Sequence, residues 1–115
     1  MTVKEFYDSI GGDYEDSINR FRMESLVQKF LLTFPEDTSY QELVAAVEAG
    51  ETETAFKAAH TLKGVTANLS MEKLRAASSE VTELLRAGDL EGAKPLMPAV
   101  DSAYAEVMEA IKKMA

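Results

Sequence analysis

The chain has no cysteine and a single histidine among its 115 residues. Without cysteine it cannot form disulfides, use a thiolate nucleophile or hold a cysteine-ligated metal or iron–sulfur cluster. This absence agrees with a reducing compartment, and we expect a cytoplasmic protein. No segment approaches the roughly 20 apolar residues of a membrane helix, and the opening MTVKEFYDSIGG lacks the basic and apolar regions of a signal peptide.

Basic residues are scarce too, since 12 lysines and arginines face 20 aspartates and glutamates and the formal net charge is −8. Binding to nucleic acid or to an anionic membrane needs a cationic surface. The composition therefore argues against both functions and favours other proteins as partners. A chain of this length can close one hydrophobic core but does not divide into two domains.

Strand-like alternation of apolar and polar residues is missing, whereas apolar residues recur at spacings of three and four along most of the chain. This pattern predicts an all-α fold. Short connections between consecutive helices favour an up-and-down antiparallel four-helix bundle. We expect one domain over residues 1–115, with short accessory helices at about 3–33 and the bundle at about 37–115.

Glycine, proline and short polar residues predict the ends of the first helices. The first helix should be ended by Gly11 and Gly12, the second should have Asp13 as its N-cap, and the third should end before Pro35. A fourth helix should begin with a capping box formed by Ser39 and Glu42.

Three longer helices follow. The first should run from about Thr52 to Leu69, the second from Ser70 as N-cap to Gly88, and the third from near Pro95 after a separate turn at DLEGA. The connections EAGETETA and RAGDLEGA each contain a glycine able to take the left-handed conformation. The last helix should bury a seam made of Ala93, Leu96, Val100, Ala103 or Tyr104, Val107, Ile111 and Met114.

The single histidine, His60, lies just off the predicted core seam of its helix. That seam comprises Ala55, Ala59, Leu62, Thr66 and Leu69, with Phe56 widening it. The histidine belongs instead to a neighbouring stripe of Lys57, His60, Lys63 or Gly64, Ala67 and Asn68. Lysines thus flank the imidazole although the chain as a whole is acidic.

This combination suggests phosphoryl chemistry. A partly exposed neutral imidazole is a good nucleophile toward phosphorus, Lys63 could hold phosphoryl oxygens, and Gly64 leaves room for a large donor. Each residue alone also has a plain structural interpretation. A histidine beside a seam is often a filler, flanking lysines are usually solvated, and a helical glycine can serve close packing.

Taken together, the segment AHTLKGVTANLS resembles the signature of histidine phosphotransfer (HPt) domains, which carry a phosphoryl group on the histidine of an His-x-x-Lys-Gly motif. The likeness extends over nearly the whole chain, including GGDYEDSINRF, LVQKFLLTFPED and LRAASSEVTELLRAGDLEGA. It implies that His60 is the phospho-acceptor, Lys63 the partner of the phosphoryl oxygens and Gly64 the residue that gives clearance.

The resemblance also implies partners. The expected partners are response-regulator receiver domains and a hybrid histidine kinase, with Mg²⁺ held by the receiver and no cofactor in this chain. The protein would be a phosphoryl carrier without its own ATP site, and we expect a monomer. The receiver's acidic phosphorylation pocket should meet the lysine-flanked stripe, at Lys57, Thr61, Ala67 and Asn68 around the histidine.

Two positions depart from the family's pattern. The family commonly has glycine where this chain has Ser70. Many relatives also carry glutamate or glutamine at the position of Thr82, where the side chain orients the histidine ring. A hairpin that turns near Ser70 sets His60 against residues 80–82, so Thr82 could orient the ring; otherwise Glu83 or Glu80 could substitute, or nothing orients it.

Other functions fit the sequence less well. A zinc site lacks a second histidine, a Ser–His–Asp hydrolase lacks an evident oxyanion pocket, and SIGGDYEDS lacks the lysine and the strand of a phosphate-binding loop. The main alternative is a non-catalytic helical module that docks receiver domains without transferring phosphate. The chain has His60, Lys63 and Gly64 together, which argues against a family member that has lost the ability to transfer phosphate.

Overall fold

The computed structural model describes residues 1–114, and helices joined by short turns make up this part of the chain. The all-α prediction is confirmed. None of the helices within residues 1–114 is both long and apolar enough to cross a membrane. The α-helices are α1 (Val3–Ile10), α2 (Tyr14–Phe21), α3 (Glu24–Thr33), α4 (Ser39–Ala49), α5 (Thr52–Asn68), α6 (Glu72–Arg86), α7 (Leu90–Ala93) and α8 (Met97–Met114), with 3-10 turns at Phe34–Glu36 and Lys94–Leu96.

One hydrophobic core joins the longer helices α4, α5, α6 and α8 with buried side chains of α1 and α3, among them Phe6 and Leu31. Helix α5 packs along α4 and α6, α6 also packs on α8, and α1 covers α8. Helices α4 and α8 meet where the rings of Tyr40 and Tyr104 stack with centroids 3.9 Å apart, and the Tyr40 hydroxyl donates to Asp101 at 2.7 Å. The predicted seam of α5 is confirmed, since all five of its residues are buried: Ala55, Ala59, Leu62, Thr66 and Leu69.

Several predicted helix ends are confirmed. Asp13 is the N-cap of α2, and its carboxylate accepts from the backbone N–H of Asp16 at 3.0 Å. Helix α1 ends at a left-handed Gly11. Gly50 and Gly88, in the two similar connections, have φ values of 74° and 79°, a conformation that glycine adopts without the steric cost of a Cβ.

The predicted capping box of α4 is wrong. Ser39 is the first residue of the helix, and its backbone N–H donates to the Asp37 carboxylate at 2.9 Å while its hydroxyl bonds the same carboxylate. Thr38 takes the N-cap position, and its hydroxyl donates to Glu42 at 2.9 Å. The charged Asp37 side chain is a stronger acceptor than a hydroxyl, so it captures the donors of Ser39.

The prediction that Ser70 caps α6 is also wrong. Helix α6 begins at Glu72 with Met71 as its N-cap, and Ser70 itself has a φ of 56°, in the left-handed region. Its hydroxyl donates to Asp16 at 2.7 Å and accepts from Arg20 at 2.8 Å. The chain reversal needs a left-handed residue here, and that conformation directs the hydroxyl toward α2 instead of the start of α6.

Candidate functional site

His60 lies near the middle of α5, on its solvent-exposed side. Helix α5 forms here because alanines and leucine, which have high helix propensity, fill its buried face, with Ala59 and Leu62 fully buried beside the histidine. Among residues 1–114, no group forms a hydrogen bond with either nitrogen of the His60 ring. Both nitrogens are therefore available for chemistry or for a partner.

Lys63 and Gly64 follow one helical turn after the histidine. Lys63 is half-buried, and its ammonium forms no ion pair with any carboxylate in the described part of the chain. Gly64 is exposed, and a Cβ added there would meet nothing within 4 Å. Close helix packing therefore does not explain why this position is a glycine. The open space that the glycine leaves beside the imidazole is an explanation that remains.

The predicted docking residues share this side of α5. Lys57 and Thr61 are exposed before the lysine–glycine pair, Ala67 is half-buried after it, and Asn68 is exposed at the end of the helix. Lys57 pairs with Glu53 at 3.7 Å, and the Thr61 hydroxyl donates to the Lys57 carbonyl at 3.0 Å. The stripe is thus continuous, with lysine on both sides of the histidine.

The contact between Phe56 and Arg86 shows which parts of α5 and α6 lie side by side. The guanidinium carbon of Arg86 lies 5.0 Å from the centre of the Phe56 ring. His60 follows Phe56 by one helical turn on α5, and Thr82 precedes Arg86 by one helical turn on α6. The same alignment of the two helices therefore places His60 beside Thr82. Thr82, however, is fully buried, and its hydroxyl donates to the Ser78 carbonyl of its own helix at 2.7 Å.

The two glutamates proposed as substitutes are also not bonded to the imidazole. Glu83 pairs with Arg86 at 3.3 Å, and Glu80 is exposed. The structure therefore brings none of the three candidates into hydrogen-bonding contact with His60. In residues 1–114 there is likewise no group of three or more histidine, aspartate or glutamate side chains that could hold a metal ion.

An aromatic neighbour of the histidine was missed by sequence reasoning. The rings of Phe56 and His60 stack with centroids 5.8 Å apart and planes 23° from parallel. The spacing of four residues signals this contact, because residues four apart lie on the same side of a helix. The sequence held no comparable signal for Arg86, because its contact with Phe56 depends on how two helices pack.

A known protein family matches most of the chain. The family model described as "Hpt domain" matches residues 25–110, from the start of α3 into α8. The matched range includes the whole stripe around His60 and leaves α1 and α2 outside. No curated protein and no solved structure matched the chain.

Proposed function

Because this chain belongs to the Hpt domain family, we propose that it is a phosphorelay intermediate. It accepts a phosphoryl group on His60 from the phospho-aspartate of a receiver domain, or from a histidine kinase, and passes the group to another receiver. The observation that carries the proposal is the exposed imidazole with unbonded nitrogens, a lysine one turn away and open space over Gly64.

The transfer step is a displacement at phosphorus. A lone pair on one His60 nitrogen forms the N–P bond while the P–O bond of the acyl phosphate breaks, and the aspartate carboxylate leaves with that electron pair. The other ring nitrogen then gives its proton to water or keeps it. In the second transfer, a carboxylate of the next receiver attacks phosphorus, the P–N bond breaks, and the electron pair returns to His60.

Lys63 and Gly64 have separate parts in this step. The Lys63 ammonium offsets the negative charge that accumulates on the phosphoryl oxygens, and no carboxylate of the described chain already neutralises it. Gly64 keeps the approach to the imidazole open for the bulk of a receiver domain, since the position above it is empty. Thr82, Glu83 and Glu80 remain candidates for orienting the ring in the complex, although Thr82 has to release the Ser78 carbonyl and Glu83 has to release Arg86 to do so.

The partner is a receiver domain with an acidic pocket, and Mg²⁺ belongs to that partner. The lysine-flanked stripe around His60, with the docking residues Lys57, Thr61, Ala67 and Asn68, complements such a pocket. The acidic surface of the rest of the chain, whose net charge is −8, repels it. We place the protein in the cytoplasm as a monomeric carrier without its own ATP site. The packing of α4, α5, α6 and α8 around one core supports an up-and-down four-helix bundle as the scaffold.

A relay assay tests this function. A receiver domain carrying a radioactive phosphoryl group is mixed with the chain, the chain is repurified, and a second receiver is added. We expect label to move to the chain and then to the second receiver. Binding of the receiver without any movement of label would support the alternative function, a docking module that does not transfer phosphate.

A further inference from the structure

The imidazole of His60 is in contact with an aromatic side chain, not with a hydrogen-bond partner. Its ring lies against Phe56 at a centroid distance of 5.8 Å and an angle of 23°. These values fall in the range of offset-stacked aromatic pairs. In an offset stack at this distance the Phe56 ring overlaps only part of one face of the imidazole, and the two nitrogens at the ring edge have no hydrogen-bond partner within residues 1–114.

Phe56 is itself held in place. Its side chain is half-buried and packs against the core, and the Arg86 guanidinium lies over its ring at 5.0 Å. Arg86 in turn pairs with Glu83 on α6 through two contacts of 3.3 Å. A chain of contacts thus runs from α6 through Arg86 and Phe56 to the imidazole.

We propose that Phe56, held by Arg86, is a positioning residue that fixes the orientation of the His60 ring for phosphoryl transfer. The inference rests on the function proposed above. The position opposite the histidine on α6 holds Thr82, whose hydroxyl is committed to the Ser78 carbonyl. The stack with Phe56 orients the imidazole through contact with the face of the ring. A hydrogen bond from the position of Thr82 would instead orient it through a nitrogen at the ring edge.

The test compares Phe56→Leu, which keeps apolar packing, with Phe56→Tyr, which keeps the aromatic face. In Phe56→Leu we expect kcat for transfer from a phosphorylated receiver to fall about threefold to tenfold, while KM changes less than twofold. In Phe56→Tyr the rate should be close to wild type. Met108→Ala removes a half-buried side chain from α8 and serves as the control for lost packing alone.

Nuclear magnetic resonance of the isolated protein gives a readout that does not depend on transfer. We expect cross-relaxation between the ring protons of Phe56 and His60 in the wild type, and a change in the His60 ring-proton shifts in Phe56→Leu but not in Met108→Ala. Absent cross-relaxation would overturn the inference even if a variant fails to fold. Unchanged shifts with an unchanged kcat in a folded Phe56→Leu would also overturn it.

A double-mutant cycle tests the part assigned to Arg86. If Arg86 acts through Phe56, Arg86→Ala should lower kcat in the wild type and have no further effect in the Phe56→Leu background. Equal effects in both backgrounds would show that Arg86 acts independently of the stack. If the wild type accepts no phosphoryl group, the relay function fails, while the resonance experiment still decides whether the stack holds the ring.

Discussion

The hydroxyl of Ser70 donates a 2.7 Å hydrogen bond to the carboxylate of Asp16, a residue 54 positions earlier in the chain. Arg20 joins this pair, since its guanidinium contacts Asp16 at 3.0 Å and Ser70 at 2.8 Å. The turn that ends the histidine helix is thereby tied to α2. The Tyr7 hydroxyl adds a 2.7 Å bond to the Leu69 carbonyl in the same turn.

Replacing Asp16 by asparagine should destabilise the protein at neutral pH by no more than about 1 kcal/mol, because both charged partners are partly solvated. The hydrogen bond from Ser70, together with Arg20, lowers the pKa of the Asp16 carboxyl. A carboxyl with a lowered pKa contributes stability above the ordinary aspartate value of about 3.9, and that stability is lost as the pH falls below it.

Urea unfolding of the wild type and Asp16→Asn between pH 7 and pH 3 checks this prediction. The difference in free energy of unfolding should be constant near neutrality and shrink below about pH 4. Asp8→Asn, which removes an exposed carboxylate paired with Lys4 at 3.1 Å, is the matched control. A difference that grows on acidification would contradict the account.

Gly64→Ala should raise the free energy of unfolding by up to about 1 kcal/mol, because alanine has the higher helix propensity and the added Cβ meets nothing within 4 Å. Gly64→Gln should also fold, yet lower the transfer rate about tenfold or more by displacing the donor. Melting temperature and transfer rate are measured together. The control is Ala105→Gln, which places the same side chain at an exposed position of α8. An unfolded Gly64→Gln, or one that transfers at the wild-type rate, would refute the clearance argument.

Lys63→Ala should slow transfer about tenfold to a hundredfold with little change in receiver affinity, because the lost charge acts on the moving phosphoryl group. Lys57 offers the comparison, since it is exposed and lies on the other side of the histidine. Its replacement by alanine should raise KM and leave kcat nearly unchanged. Single-turnover kinetics at saturating receiver separates the two effects, and equal losses of kcat in both variants would argue against a distinct role for Lys63.

Receiver docking should centre on the stripe around His60. Titration with an unphosphorylated receiver should shift the amide resonances of Lys57, Thr61, Ala67 and Asn68 most strongly. Higher salt should weaken the affinity, because exposed charges contribute to the encounter. Shifts centred on α8 instead would exclude this face as the docking surface.

Local sequence signals predicted much of the fold. They failed where contacts with other parts of the chain determine the hydrogen bonds of a residue. Gly50 and Gly88 end their helices as expected, because a left-handed helix end is a local requirement. Ser39 and Ser70 did not act as caps. A serine hydroxyl can bond either a helix N–H or a carboxylate, and for Ser70 the competing carboxylate, Asp16, becomes a neighbour only when the chain has folded.

The candidate site shows the same division. The side-by-side placement of His60, Lys63 and Gly64 follows from helical spacing and needs no tertiary information. The buried state of Thr82 and the contact between Phe56 and Arg86 depend on the register of α5 against α6. The apolar side chain of Phe56 predicts a place beside the core seam, and its four-residue spacing from His60 also places it beside the histidine.

The most direct measurement is the chemical location of the phosphoryl group after incubation with a phosphorylated receiver. We expect a label that acid removes and alkali does not, as for a phosphoramidate, located on His60, the single histidine of the chain. The label should be absent in His60→Gln while the helical circular dichroism is retained. Label that persists in His60→Gln, or a folded wild type that takes up none, would contradict the claim that this residue carries the phosphoryl group.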